Sequence, residues 1–141
     1  MTCFVDTSAL YAVLDADDAN HALAASEWKS LLEAGVALVT TSYVLVETIA
    51  LLQHRLGLKS VHTFREDISP LLCVHWVDAP LHEAGLAAVL AAQRRQLSLV
   101  DCVSFAFMRA QALDGAFTFD PHFFEQGFVV RGLSASRRKA R

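Results

Sequence analysis

Four carboxylates stand inside apolar segments of this chain: Asp6 after Cys3-Phe4-Val5, Glu47 after Val44-Leu45-Val46, Asp101 after Leu99-Val100, and Asp120 after Phe117-Thr118-Phe119. Taking an unpaired carboxylate out of water costs several kcal/mol, so an acid in such a setting needs a compensating charge. No lysine or arginine lies beside any of the four in the sequence. If they converge, two carboxylates about 4 Å apart repel by about 4 kcal/mol at an effective dielectric of 20, and four together require cations or protons. An all-oxygen cluster without cysteine or histidine partners selects hard ions, Mg²⁺ or Mn²⁺. Such ions, singly or in pairs, activate water for in-line attack on a phosphodiester and stabilise the leaving oxygen. Thr7, Ser8, Ser104 and Thr118 flank the acids, and their hydroxyls suit the orientation of carboxylates or water.

Each acid has a plainer reading. Asp6 and Asp120, at strand ends, read equally as helix caps or turn residues. Glu47 and Asp101 are harder to explain away, because apolar neighbours surround them in the sequence. Asp15, Asp17, Asp18, Glu27, Glu33, Glu66, Asp67 and Glu83 read as solvated faces or caps. The six histidines form no i, i+4 pair, and His122, two residues past Asp120, is the one to watch, with structural or surface duty as its default reading. Trp28, Trp76 and the nine phenylalanines read mostly as core, with Phe123-Phe124 as a brace at the site edge.

The elements that must position these acids follow from periodicity and caps. Strands are expected over 3–5, 36–40, 71–77 and 116–119, with a last short one over 128–131. Helices are expected over 9–14, from a cap at Asn20 to about Ala34, over 43–56 with Ser42 as cap, over 59–69, from Asp78-Ala79-Pro80 to about Gln96, and over 99–113 with Ser98 as cap. Strands alternating with helices imply an α/β fold with a central parallel sheet of four to five strands flanked by helices. Active sites of such sheets form beyond the carboxyl ends of the strands. Asp6 and Asp120 follow strands there, and Glu47 and Asp101 lie near the starts of helices that begin at that same edge.

With 141 residues the chain fits one domain, over 1–133, followed by a basic tail, 134–141. The composition is 54% hydrophobic and only 19% charged, below the usual share of about 25%, so either the core is generous or apolar surface meets a partner. A net charge of −3 does not advertise a nucleic-acid binder, although acids gathered around metals make the total misleading for the remaining surface. Cys3, Cys73 and Cys102 are far apart and read as reduced thiols in a cytoplasmic protein, two of them in buried patterns. No apolar run reaches the roughly 20 residues of a membrane span, and the N-terminus has no basic region typical of a signal peptide.

The motifs, taken in order, resemble the PIN-domain nucleases. Phe4-Val5-Asp6-Thr7-Ser8-Ala9-Leu10 looks like the family's opening motif; Glu47 inside a helix, Leu99-Val100-Asp101 opening a later one, and Phe117-Thr118-Phe119-Asp120-Pro121-His122-Phe123 match the rest. The resemblance covers nearly the whole chain and is greatest to stand-alone VapC-type toxins. It implies a Rossmann-like PIN fold and a Mg²⁺- or Mn²⁺-dependent endoribonuclease, paired with a small antitoxin and forming a homodimer. It assigns the metal to Asp6, Glu47, Asp101 and Asp120, with Ser8 as a supporting hydroxyl. Pro121 departs from the pattern, since the family more often has a polar or charged residue there, and this leaves the number of ions open. Two other readings compete. One is a phosphohydrolase with Asp6 as covalent nucleophile, against which Ser8 stands where such enzymes carry a second aspartate. The other is a non-catalytic binding module.

Overall fold

The computed structural model describes residues 1–132, so the basic tail lies outside the described residues. Five short strands, β1 (Thr2–Val5), β2 (Ala37–Thr41), β3 (Leu72–His75), β4 (Gly115–Thr118) and β5 (Val129–Gly132), form one sheet in the order β3-β2-β1-β4-β5. Every pairing is parallel. Parallel strands must be joined by crossovers, and here these are helical. They are α1 (Thr7–Leu14) and α2 (His21–Glu33), then α3 (Ser42–Arg55) and α4 (Leu58–Thr63), then α5 (Ala79–Ala92) and α6 (Leu99–Ala110), and finally α7 (Pro121–Glu125). The α/β class and the parallel sheet are as expected, with the fifth strand present.

Covered on both faces, the central strand β1 is apolar and buried from Cys3 to Val5. Phe4 lies at the middle of an aromatic core, 6.0 Å from Phe107 and 6.1 Å from Phe123 between ring centroids, and Phe123 meets Phe105 edge-on at 4.9 Å. The layer formed by α5 and α6 is close-packed at Gly85, where a Cβ would stand 2.3 Å from Val103 Cγ2.

Several boundaries differ from expectation for identifiable reasons. Thr41, not Ser42, caps α3 by accepting from Val44 N, while Ser42 Oγ accepts from Val77 N and ties α3 to the chain leaving β3. Helix α5 stops at Ala92 because Gln93 turns left-handed, φ 52°, and α6 stops at Ala110, two residues before Ala112 at φ 54°. The stretch expected as one helix over 59–69 is α4, a π-helical turn at Phe64–Ile68 and a 3₁₀ turn at Ser69–Leu71 around Pro70. Two of the three cysteines, Cys3 and Cys102, are buried, whereas Cys73 is exposed on the edge strand β3. Trp28 is in the core, but Trp76 is 70% exposed, since the chain leaves the covered layers just past β3. Among the described residues, no helix is long and apolar enough to cross a membrane.

Candidate metal centre

The carboxyl ends of β1 and β4 set the site. Asp6 follows β1 directly, its backbone N–H donating to Phe117 O of β4 at 3.1 Å. Its buried side chain caps α1, and Oδ2 accepts from Ser8 Oγ at 2.8 Å and Thr118 Oγ1 at 3.0 Å. Ser8 Oγ in turn accepts from Phe119 N at 2.9 Å and lies 3.1 Å from Thr118 Oγ1. This hydroxyl therefore ties the turn after β1 to the turn after β4, and fixes one oxygen of Asp6 while the other is left free of these contacts.

The remaining acids come from neighbouring elements. Glu47 projects from α3, half-buried, beyond Thr7, whose hydroxyl donates to Val44 O at 3.4 Å and accepts from Thr48 Oγ1 at 3.2 Å. Asp101 is the third residue of α6 and closes a reciprocal cap with Ser98: Asp101 N donates to Ser98 Oγ and Ser98 N to Asp101 Oδ2, both at 3.1 Å. Asp120 caps α7, its Oδ1 accepting from His122 N at 2.9 Å. Two of the four acids are thus helix caps, and Asp101 closes the capping box of a third helix. The plainer reading of Asp6 and Asp120 is correct, and it does not compete with the other one.

Repulsion among the four acids acts on Asp6, Glu47 and Asp101. Burial pushes the Asp6 carboxyl up to about 6, against the pull of Ser8 and Thr118, and ionised Asp101 and Asp120 push it further. Burial also raises Glu47, with Asp6 and Asp120 adding to it, and raises Asp101, with Asp120 and Glu47 adding to it. Every pairing among the four appears in these shifts, which places them in one electrostatic unit. Among the described residues no lysine or arginine forms an ion pair with any of them; the described arginine and lysine pairs are Lys29–Glu33, Arg94–Glu125 and Arg131–Glu27.

His122, the histidine that the sequence singled out with a structural or surface role as its default reading, stands at this site. It is buried, with Nδ1 2.9 Å from Asp120 Oδ1 but off the hydrogen-bonding line, so that this buried nitrogen has no hydrogen-bond partner. Ligand atoms of Asp101, Asp120 and His122 lie within 4.8 Å of one another. The signal was present in the sequence as an i, i+2 step from Asp120, but a step of two faces one way only where the chain turns, as it does at Pro121. The donor set, oxygen-rich with one orphaned nitrogen and without cationic partners, fits a divalent cation.

A parallel five-stranded α/β sheet with acids gathered at its carboxyl edge defines the class: the PIN domain matches residues 3–129, and the chain belongs to that family. Its relatives include the 23S rRNA-specific endonuclease VapC20 of two strains of Mycobacterium tuberculosis, 35% identical over 127 residues that cover 89% of this chain and 95% of the relative. The crystal structure of Mycobacterium tuberculosis VapC20, described as a Sarcin-Ricin loop cleaving toxin, superimposes with a TM-score of 0.78 at 34% identity, covering 92% of this chain and 97% of that one. FitAcB from Neisseria gonorrhoeae shares the fold, with a TM-score of 0.66 at 18% identity over 92% of this chain and 96% of that one.

Proposed function

We propose that this protein is a Mg²⁺- or Mn²⁺-dependent endoribonuclease, the toxin of a toxin–antitoxin pair. The observation that carries the reading is the electrostatic union of Asp6, Glu47, Asp101 and Asp120 without a cationic side chain to balance them. In this reading the four carboxylates hold the metal. When bound, a divalent ion supplies positive charge for the phosphoryl oxygens and lowers the pKa of water at the scissile bond. The chain's own part is positioning: Ser8 and Thr118 donate to Asp6, and the Ser98 backbone N–H donates to the Asp101 carboxylate. These contacts keep the negative charges aimed at one point before a cation arrives, which is the preorganisation that hydrolysis of a phosphodiester needs.

The relationship to an enzyme named for 23S rRNA makes structured ribosomal RNA the first substrate class to test. The same relationship supports a small antitoxin as partner, and the family resemblance supports a homodimer; exposed Leu58, Trp76 and Leu90 leave apolar surface for protein contacts. We take residues 1–133 as the catalytic domain in the cytoplasm, with Arg137, Arg138, Lys139 and Arg141 adding a salt-dependent attraction for phosphates. The test is incubation of purified protein with ribosomal RNA and Mn²⁺, with fragment ends mapped. Discrete, EDTA-sensitive cuts are expected; intact RNA after exhaustive incubation with saturating Mn²⁺ overturns the reading.

A further inference from the structure

We propose that His122 is itself a metal ligand, which with Asp101 and Asp120 forms a nitrogen-containing position selective for Mn²⁺ over Mg²⁺. The inference rests on the nuclease reading and deepens it, because the metal acids alone would form an all-oxygen site. Three observations carry it. His122 is only 9% exposed, yet its Nδ1 has no hydrogen-bond partner. Leaving a buried polar atom unpaired costs about 1–3 kcal/mol, so such atoms usually have a task. Next, Nδ1 stands 2.9 Å from Asp120 Oδ1, which already accepts from the His122 backbone N–H at 2.9 Å. Two donors at right angles on a hard octahedral ion with bonds of about 2.1 Å stand about 3 Å apart, so this spacing suits two ligands of one cation. Finally, Asp101 brings a carboxylate oxygen within 4.8 Å of both.

The chemistry of the nitrogen sets the selectivity. Imidazole binds first-row transition ions and contributes little to Mg²⁺, which keeps oxygen ligands and water. His122 thus offers a nitrogen where Asp101 and Asp120 offer only oxygen. The histidine completes a three-donor set with Asp101 and Asp120.

The test uses Mn²⁺ as the probe and the full-length protein labelled with ¹⁵N only in histidine. Electron spin-echo modulation of bound Mn²⁺ is expected to show a directly bound ¹⁵N nucleus. The signal should vanish in His122→Gln, whose Mn²⁺ affinity falls about tenfold or more while its Mg²⁺ affinity changes much less. Circular dichroism of the variant establishes that it folds, and the labelled wild-type spectrum stands without any variant. Bound Mn²⁺ with no histidine nitrogen coupling overturns the inference and leaves the nuclease reading intact. An equal loss of both metals in His122→Gln assigns the residue a purely structural role and likewise overturns it. Wild-type protein that binds no Mn²⁺ overturns the inference and the metal-dependent reading together.

Discussion

Replacing Asp6 by asparagine should make the metal-free protein more stable. In the folded chain burial lifts the Asp6 carboxyl from 3.8 to about 6. A rise of about two units, at 1.36 kcal/mol each, means that the ionised carboxylate opposes folding by up to about 3 kcal/mol at neutral pH. The sign follows from proton binding. Between pH 3.8 and 6 the folded state holds the proton that the unfolded state has released, so stability falls as pH rises through this window and stays low above it. Asparagine keeps an acceptor oxygen for Ser8 and Thr118 and for the α1 cap, and removes the charge. For a domain of this size 1 kcal/mol moves Tm by about 3 °C, so Asp6→Asn should melt up to about 9 °C above wild type in EDTA at pH 7.5. The gap should close as pH falls towards 4, where both chains are neutral at this position. Saturating Mn²⁺ should reverse the order, because only the wild type gains the full binding energy. A variant that melts at or below wild type in EDTA at pH 7.5 would refute the claim that this carboxylate is held at an energetic cost.

Three further outcomes follow from the same contacts. Mn²⁺ affinity, measured by isothermal titration, should weaken about tenfold per pH unit below 6 for the proton displaced from Asp6, and an affinity flat from pH 7 to 5 would count against its role as ligand. Ser8→Ala removes a donor from Asp6 and the acceptor of Phe119 N, so it should cost about 1–3 kcal/mol in chemical denaturation and shift Mn²⁺ binding to higher pH. Gly85→Ala presses a methyl onto Val103 and should cost about 1–3 kcal/mol, with partial recovery in Gly85→Ala combined with Val103→Ala; an unchanged Tm would show that α5 and α6 separate freely.

The sheet and the edge on which the acids meet were legible because buried parallel strands leave continuous apolar runs and because an acid that ends such a run has one place to go. Strand order and helix starts alone directed Asp6, Glu47, Asp101 and Asp120 to one edge, and of these the structure brings ligand atoms of Asp101 and Asp120 within 4.8 Å of each other. Details that depend on single dihedrals were not legible. Gln93 and Ala112 adopt left-handed backbone where no glycine announces it, so α5 and α6 end early. Thr41 took the cap from Ser42 because both are competent caps one residue apart, and the tertiary bond from Val77 N engaged Ser42 instead. His122 was undervalued because its proximity to Asp101 depends on the turn at Pro121 and on how α6 meets α7, neither of which has a periodic signature. The exposure of Trp76 was missed for a related reason: hydrophobicity predicts burial only while the chain remains within a covered layer.

The central claim is that one metal-dependent acid cluster cleaves RNA, and Asp101→Asn tests it most directly. Asp101 is both a site acid and part of the Ser98 cap, so alanine would confuse loss of chemistry with loss of a helix start. Asparagine retains the acceptor for Ser98 N and the fold, and removes one negative charge from the cluster. With ribosomal RNA and Mn²⁺, wild type should cut at discrete positions, EDTA should stop it, and folded Asp101→Asn should leave the RNA intact. Cleavage by that variant at the wild-type rate, or by wild type in excess EDTA, would contradict the account.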